Sequence, residues 1–267
     1  MPVHRTTIRQ ESPELAEAGA RLLQECFARI ESFPERFEVH KIEPESRLAE
    51  ANRWTEAVDP FSSQVMHLAV SAQQHLHFLS SYMSTTHDAP TMGGYTLARS
   101  AIESSAVGLW LLNAGTLNAR VISSLRLSWR NAVDTEEFAA ASGVAEPENL
   151  AEFRTRVEAC RDARKSLTGK SIDWFPPWSK IVRESDRWGI RTHAITAIQA
   201  WKMGSGFVHA NRNLTVQVLE HRLEGDGYRM ATRLSTLAKV VEKATDHTES
   251  LLDHLDRSAT APGQRSN

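Results

Sequence analysis

The sequence predicts an all-α protein, a single helical bundle of six to nine helices. Apolar residues recur at three- and four-residue spacing through most of the chain, and no stretch alternates convincingly as a half-buried strand does. Capping residues also stand where these periodic segments begin, with Pro or Gly near their ends.

Taken in order, Ser12 with Pro13 opens a first helix, which runs to about Ile30 before Pro34 and a charged stretch break the pattern. A second helix covers Glu45 to Val58 and stops before Pro60. Phe61 to Thr85 repeats apolar residues at Val65, Leu68, Ala72, Leu76 and Leu79, and Pro90 lies beyond its end. Tyr95 to Leu112 is apolar nearly all round, closed by Asn113-Ala114-Gly115. Thr116 then caps a helix reaching Ala141. After a loop at Ser142-Gly143 and Pro147, Asn149 caps a charged helix to Leu167.

The segment from Thr168 to Ser179, with two prolines and three aromatics, reads as an ordered loop packed on the bundle. A short helix from Ser179 to Trp188 follows, then one from about His193 to His209. Asn211-Arg212-Asn213 reads as a polar turn, and Leu214 to Leu219 fits strand or helix. Gly225-Asp226-Gly227 precedes a final helix from Tyr228 to about Leu255. We expect one domain over 1–257, its core bundle at about 61–256 with the helices of 12–58 packed on it, and a disordered tail at 258–267.

The composition, 41% hydrophobic and 24% charged, is that of a soluble globular protein. The net charge of -2 gives no global attraction to nucleic acid or to an anionic membrane, so an RNA partner would need a local basic patch. No apolar run approaches the roughly 20 residues that span a bilayer, and the N-terminus is too acidic for a secretory signal, which places the protein in the cytoplasm. Cys26 and Cys160 lack metal-ligand or redox spacing and read as unpaired packing residues. The histidines show no HExxH or Glu-x-x-His pattern, so neither a metal nor another cofactor is assigned.

Two segments carry possible chemistry. Arg99 and Glu103 lie four apart on the apolar helix, with Ile102, Ala106 and Trp110 around them. A charged pair in a core needs pairing and hydrogen bonds, and Arg99 has the planar fork that binds carboxylate or phosphate. A purely structural ion pair is the plainer alternative. In the second segment, Trp201 to Arg212, Ser205 and His209 share a face, and Gly204 and Gly206 suggest close packing or a bend. No third group completes a hydrolase triad. His247 and His254, among Asp246, Glu249 and Asp253, read as a solvated acidic face; Arg126 with Arg130, and Arg154 with Arg161 and Lys165, read as solvated basic stripes. Trp174, Phe175, Trp178, Trp188 and Trp201 line a pocket or fill the core.

The pattern LARSAIESSAVGLWLL, followed about a hundred residues later by GSGFVHANRN, resembles a group of actinobacterial all-helical proteins of unknown function within the HEPN-like helical set. The resemblance spans Gln64 to Asn213, is anchored on Arg99, Glu103, Ser205 and His209, and implies a fold more than an activity. Arg187 and His193 have the Arg-to-His spacing of HEPN ribonucleases, but Trp188 follows Arg187 and Gly189 interrupts the helix.

The leading expectation is a bundle that binds an anionic small molecule or a protein partner. Arg99, Glu103, Trp201, Ser205, His209 and Arg212 would form the site, with His209 and Glu103 the catalytic pair should it be an enzyme. The alternatives are a metal-independent ribonuclease or toxin-like defence component, and a homodimer formed through the terminal helix.

Overall fold

The computed structural model describes residues 10–38, 41–143, 149–190, 194–224 and 227–262. The architecture is all-α: ten helices and one two-stranded antiparallel sheet. The helices are α1 (Pro13–Glu38), α2 (Arg47–Thr55), α3 (Phe61–Thr86), α4 (Gly93–Leu112), α5 (Leu117–Ser142), α6 (Leu150–Asp162), α7 (Trp178–Ser185), α8 (Ala197–Val208), α9 (Arg212–Val218) and α10 (Leu234–Ala259). Strands β1 (Glu220–Glu224) and β2 (Gly227–Ala231) pair with His221 opposite Met230.

The caps that start these helices satisfy their first N–H groups. Thr116 accepts from Ala119 N at 3.1 Å and Asn149 from Ala151 N at 2.9 Å. Thr196 and Gln199 form a reciprocal capping box on α8.

Several boundaries differ from those the sequence predicts. The described residues form ten helices, one more than the upper expectation. α1 passes through Pro34 to Glu38, because a proline removes only its own N–H bond while Ile30 and Phe33 keep the buried stripe running. α6 ends at Asp162 rather than Leu167. Leu214–Val218 is helical, in α9, and Arg212 and Asn213 belong to that helix rather than to a turn. Tyr228 lies in β2, so α10 starts at Leu234, and it continues to Ala259. α8 begins at Ala197. His193, Pro147, Gly225, Asp226, most of the N-terminal segment and 263–267 lie outside the described residues.

α4 and α10 pack against each other at the centre of the molecule. α1 covers α10, while α3, α7 and α8 cover α4. α4 is buried on almost every side, from Tyr95 and Ala98 to Leu109 and Leu112. A smaller core, built from Val121, Leu125, Trp129, Val157, Leu167 and Ile172, joins α5, α6 and the connection at 163–177. No helix among the described residues is long and apolar enough to cross a membrane.

Candidate binding site

Arg99, Glu103, Ser205 and Trp201 do meet, at the seam between α4 and α8. Gly204 makes this possible: a Cβ there would stand 2.5 Å from Arg99 Cβ and 2.6 Å from Tyr95 O. The close approach lets Arg99 Nε donate to Ser205 Oγ at 2.9 Å, with its Nη2 3.0 Å from Glu103 Oε2. Trp201 Nε1 donates to the same Glu103 oxygen at 2.7 Å, and the Arg99 guanidinium lies 5.0 Å from the centre of the Trp201 ring. Below them Tyr95 and Phe207 stack at 4.6 Å.

Two expectations for this seam need correction. The ion pair is not buried: the Arg99 and Glu103 side chains keep 21% and 26% of their exposure. Nor do His209 and Arg212 join it. The pairings Glu103–Trp201, Arg99–Ser205 and Tyr95–Phe207 run antiparallel, so His209 lies eight residues past the one that faces Glu103. At 1.5 Å per residue that is about 12 Å along α8. His209 ends that helix and Arg212 starts α9, both exposed. Arg99 and Trp201 both engage Glu103 Oε2, which gives the seam the character of a lock between helices.

The buried polar chemistry lies elsewhere, on α10. His247 is fully buried and Asp246 is 3% exposed, so this part of the expected solvated acidic face is interior, while the Glu249 and Asp253 side chains keep 31% and 49% of their exposure. α10 is enclosed chiefly by α1 and α4, with α3, α2 and α8 at its margins, and polar residues on its inner turns have nowhere else to go. Lys243, 2% exposed, reaches Asp186 Oδ1 at 3.2 Å. Asp186 also accepts from Ala197 N at 3.0 Å, capping α8. The Ser185 hydroxyl donates to Val182 O at 2.8 Å, so its oxygen accepts from His247 Nε2 at 3.1 Å. Gly189 fits against the imidazole, where a Cβ would come within 2.9 Å of the ring. Burial, and then the Lys243 charge, push His247 down to about 4. On the α1 side, Arg29 bridges Asp246, at 2.8 Å, and Glu249; burial still holds the Asp246 carboxyl above the usual range. Cys26 nearby is a buried free thiol, pushed up to about 12 by desolvation.

This cluster fixes the end of α7 and the residues after it, which form one wall of an open cleft of about 320 Å³. Trp110 at the end of α4, Ser123 and Arg126 on α5, Trp174 on the loop, and Lys180, Glu184 and Trp188 on the α7 side line it. The loop wall is held firmly. Asp173 accepts from Trp129 Nε1 at 3.1 Å and pairs with Arg154 at 2.9 Å, and Phe175 packs between Trp110 and Trp178. Arg126 Nε donates to Ser171 O at 3.0 Å, and its guanidinium lies 4.8 Å from the Trp174 ring centre. Neither Arg126 nor Lys180 has an acidic ion-pair partner among the described residues, and desolvation lowers the pKa of Arg126. By contrast Arg130, Arg154 and Arg161 are paired with Asp134, Asp173 and Asp162; the first two stand on a solvated face, whereas the Arg161 side chain is largely covered.

Of the cleft, the sequence signals only the Trp174–Trp188 aromatics. Arg126 is grouped there with Arg130 on spacing, although only Arg126 turns toward the loop. No family model matches the chain, and neither the curated proteins nor the solved structures contain a match.

Proposed function

We propose that the protein binds an anionic small molecule, and that the ligand sits in the cleft between α4, α5, α7 and the 163–177 connection. The observation that carries this is two cations, Arg126 and Lys180, on one concave surface with a single carboxylate, Glu184, among its lining residues. An uncompensated, half-buried guanidinium is stabilised by an incoming anion more than a solvated one would be. The volume falls at the low end of small-molecule pockets, roughly 300–1,000 Å³. In this reading Arg99, Glu103, Ser205 and Trp201 brace the bundle and do not touch the ligand. The ribonuclease alternative has less support, since His209 and Arg212 stand exposed at the α8–α9 junction, apart from Arg99 and Glu103.

The test is thermal unfolding of the full chain against a panel of carboxylates and phosphates at constant ionic strength. A saturable rise in Tm for wild type, lost in the Arg126→Gln/Lys180→Gln double variant and retained in Arg99→Ala, is the expected result. Equal responses from wild type and the double variant would overturn the assignment of the cleft. Loss of response in Arg99→Ala alone would return the site to the α4–α8 seam.

A further inference from the structure

We infer that the cleft selects a planar aromatic anion, a conjugated ring carrying one acid group, with the ring against Trp174 and Trp188 and the acid group at Arg126 and Lys180. This rests on the anion-binding reading above and adds the ring.

The first ground is how the indoles are satisfied. Trp129 and Trp201 donate their N–H groups to carboxylates, Asp173 and Glu103. The indoles of Trp110, Trp174 and Trp188 have no protein acceptor among the described residues, as is also true of Trp54 and Trp178, but these three line one cleft together. With the Lys180 ammonium and the Arg126 guanidinium they put several donor-bearing side chains among its lining residues, which suits a ligand with acceptors.

The second ground is Trp174. It keeps 51% of its exposure, although the residues on both sides of it are pinned, Asp173 by Trp129 and Arg154, Phe175 by Trp110 and Trp178. A large apolar ring held at the surface by an anchored loop is preorganised for a partner. Arg126 lies over one face of the Trp174 ring, which leaves a ligand ring the indole's other face or its exposed edge. A flat ligand placing its acid group on that guanidinium brings its ring alongside the indole, so the two recognition elements are adjacent.

The third ground is size and sign. About 320 Å³ admits one single or fused ring system with its acid group and no extended chain. Glu184 leaves the wall with one net positive charge when set against Arg126 and Lys180, which favours a single acid group over several.

An aromatic carboxylate and an aryl phosphate share this chemistry, so both enter the test. Isothermal titration of the full-length protein is run with indole-3-carboxylate, phenyl phosphate, cyclohexanecarboxylate and inorganic phosphate, at fixed ionic strength. At least one of the two ring-bearing anions should bind tenfold or more tightly than both ringless ones. Which one does so names the source. Trp174→Leu, at an exposed position where the fold should survive with unchanged Tm, should erase that tenfold preference while weak binding of the ringless anions persists. Equal affinity for ring-bearing and ringless anions overturns the ring inference and leaves the anion reading standing. If none of the four binds wild type, the anion reading falls and this inference falls with it.

Discussion

The α4–α8 seam and the α10 cluster each place oppositely charged side chains between helices, yet they differ in what surrounds them. At the seam, Arg99 and Glu103 retain about a quarter of their exposure, and Arg99 Nε and Nη2, Glu103 Oε2 and Trp201 Nε1 all have near partners. On α10, Lys243 and His247 are essentially sealed, and their partners come from the α7–α8 connection through Asp186 and Ser185. Spacing along a helix marks which residues share a face. It does not say whether that face meets water. Solvent around the seam can screen its charges and replace a lost partner, whereas the buried Lys243 ammonium relies on protein groups, chiefly the Asp186 carboxylate and more weakly the Ile190 carbonyl at 3.4 Å.

The largest effect that would sharpen this contrast is predicted for Asp186→Ala. The substitution leaves Lys243 buried without a counter-charge and uncaps Ala197 N, for a loss of about 3–5 kcal/mol. Urea unfolding measures it, and a second variant separates the causes. Adding Lys243→Met to Asp186→Ala should recover much of the loss, because the stranded charge is then gone. A double variant as unstable as the single one would show that capping, and not charge burial, dominates.

His247 provides the next test through pH. Its folded pKa, about 4, lies below the ordinary 6.5, so between these values the unfolded chain binds a proton that the folded one refuses. Stability from this residue is therefore complete above pH 6.5 and is lost as pH falls toward 4, by on the order of 3 kcal/mol at the lower limit. His247→Asn should be less stable at neutral pH but should show a shallower fall on acidification, measured by urea midpoints across that window. Parallel pH profiles for the two proteins would mean that the imidazole is not the group that resists protonation.

The same contrast explains what could be read in advance. α3, α4 and α5 were legible because local chemistry marks their ends: Pro60 and Pro90 flank α3, Thr116 caps α5, and Gly143 follows α5 with φ +64°. The meeting of Arg99, Glu103 and Ser205 was partly legible too, since two four-residue spacings and Gly204 pointed to a close helix contact. His209 was grouped with them because it shares a face with Ser205, but the antiparallel register carries it away from Glu103. The acidic residues around His247 misled for the opposite reason. A run of charge usually faces water, as Asp253 does, and only the enclosure of α10 by its neighbours turns Asp246 and His247 inward. The hairpin Glu220–Ala231 was missed because five-residue strands leave too short a pattern to separate from a helix start.

The smallest predicted effect is also the sharpest check on the seam. Glu103→Gln keeps an oxygen that can accept from Trp201 Nε1 and removes only the charge facing Arg99. A half-exposed pair is worth up to about 1 kcal/mol, and salt screens it. Unfolding in low salt should show a loss within that limit, and about 1 M NaCl should shrink the difference between wild type and variant toward zero. The loss from Asp186→Ala should persist in the same salt, because ions do not reach Lys243. A loss above about 3 kcal/mol for Glu103→Gln, unchanged by salt, would put the seam in the same class as the interior cluster. Arg99 would then depend on Glu103 as Lys243 depends on Asp186, and bracing alone would no longer account for the pair.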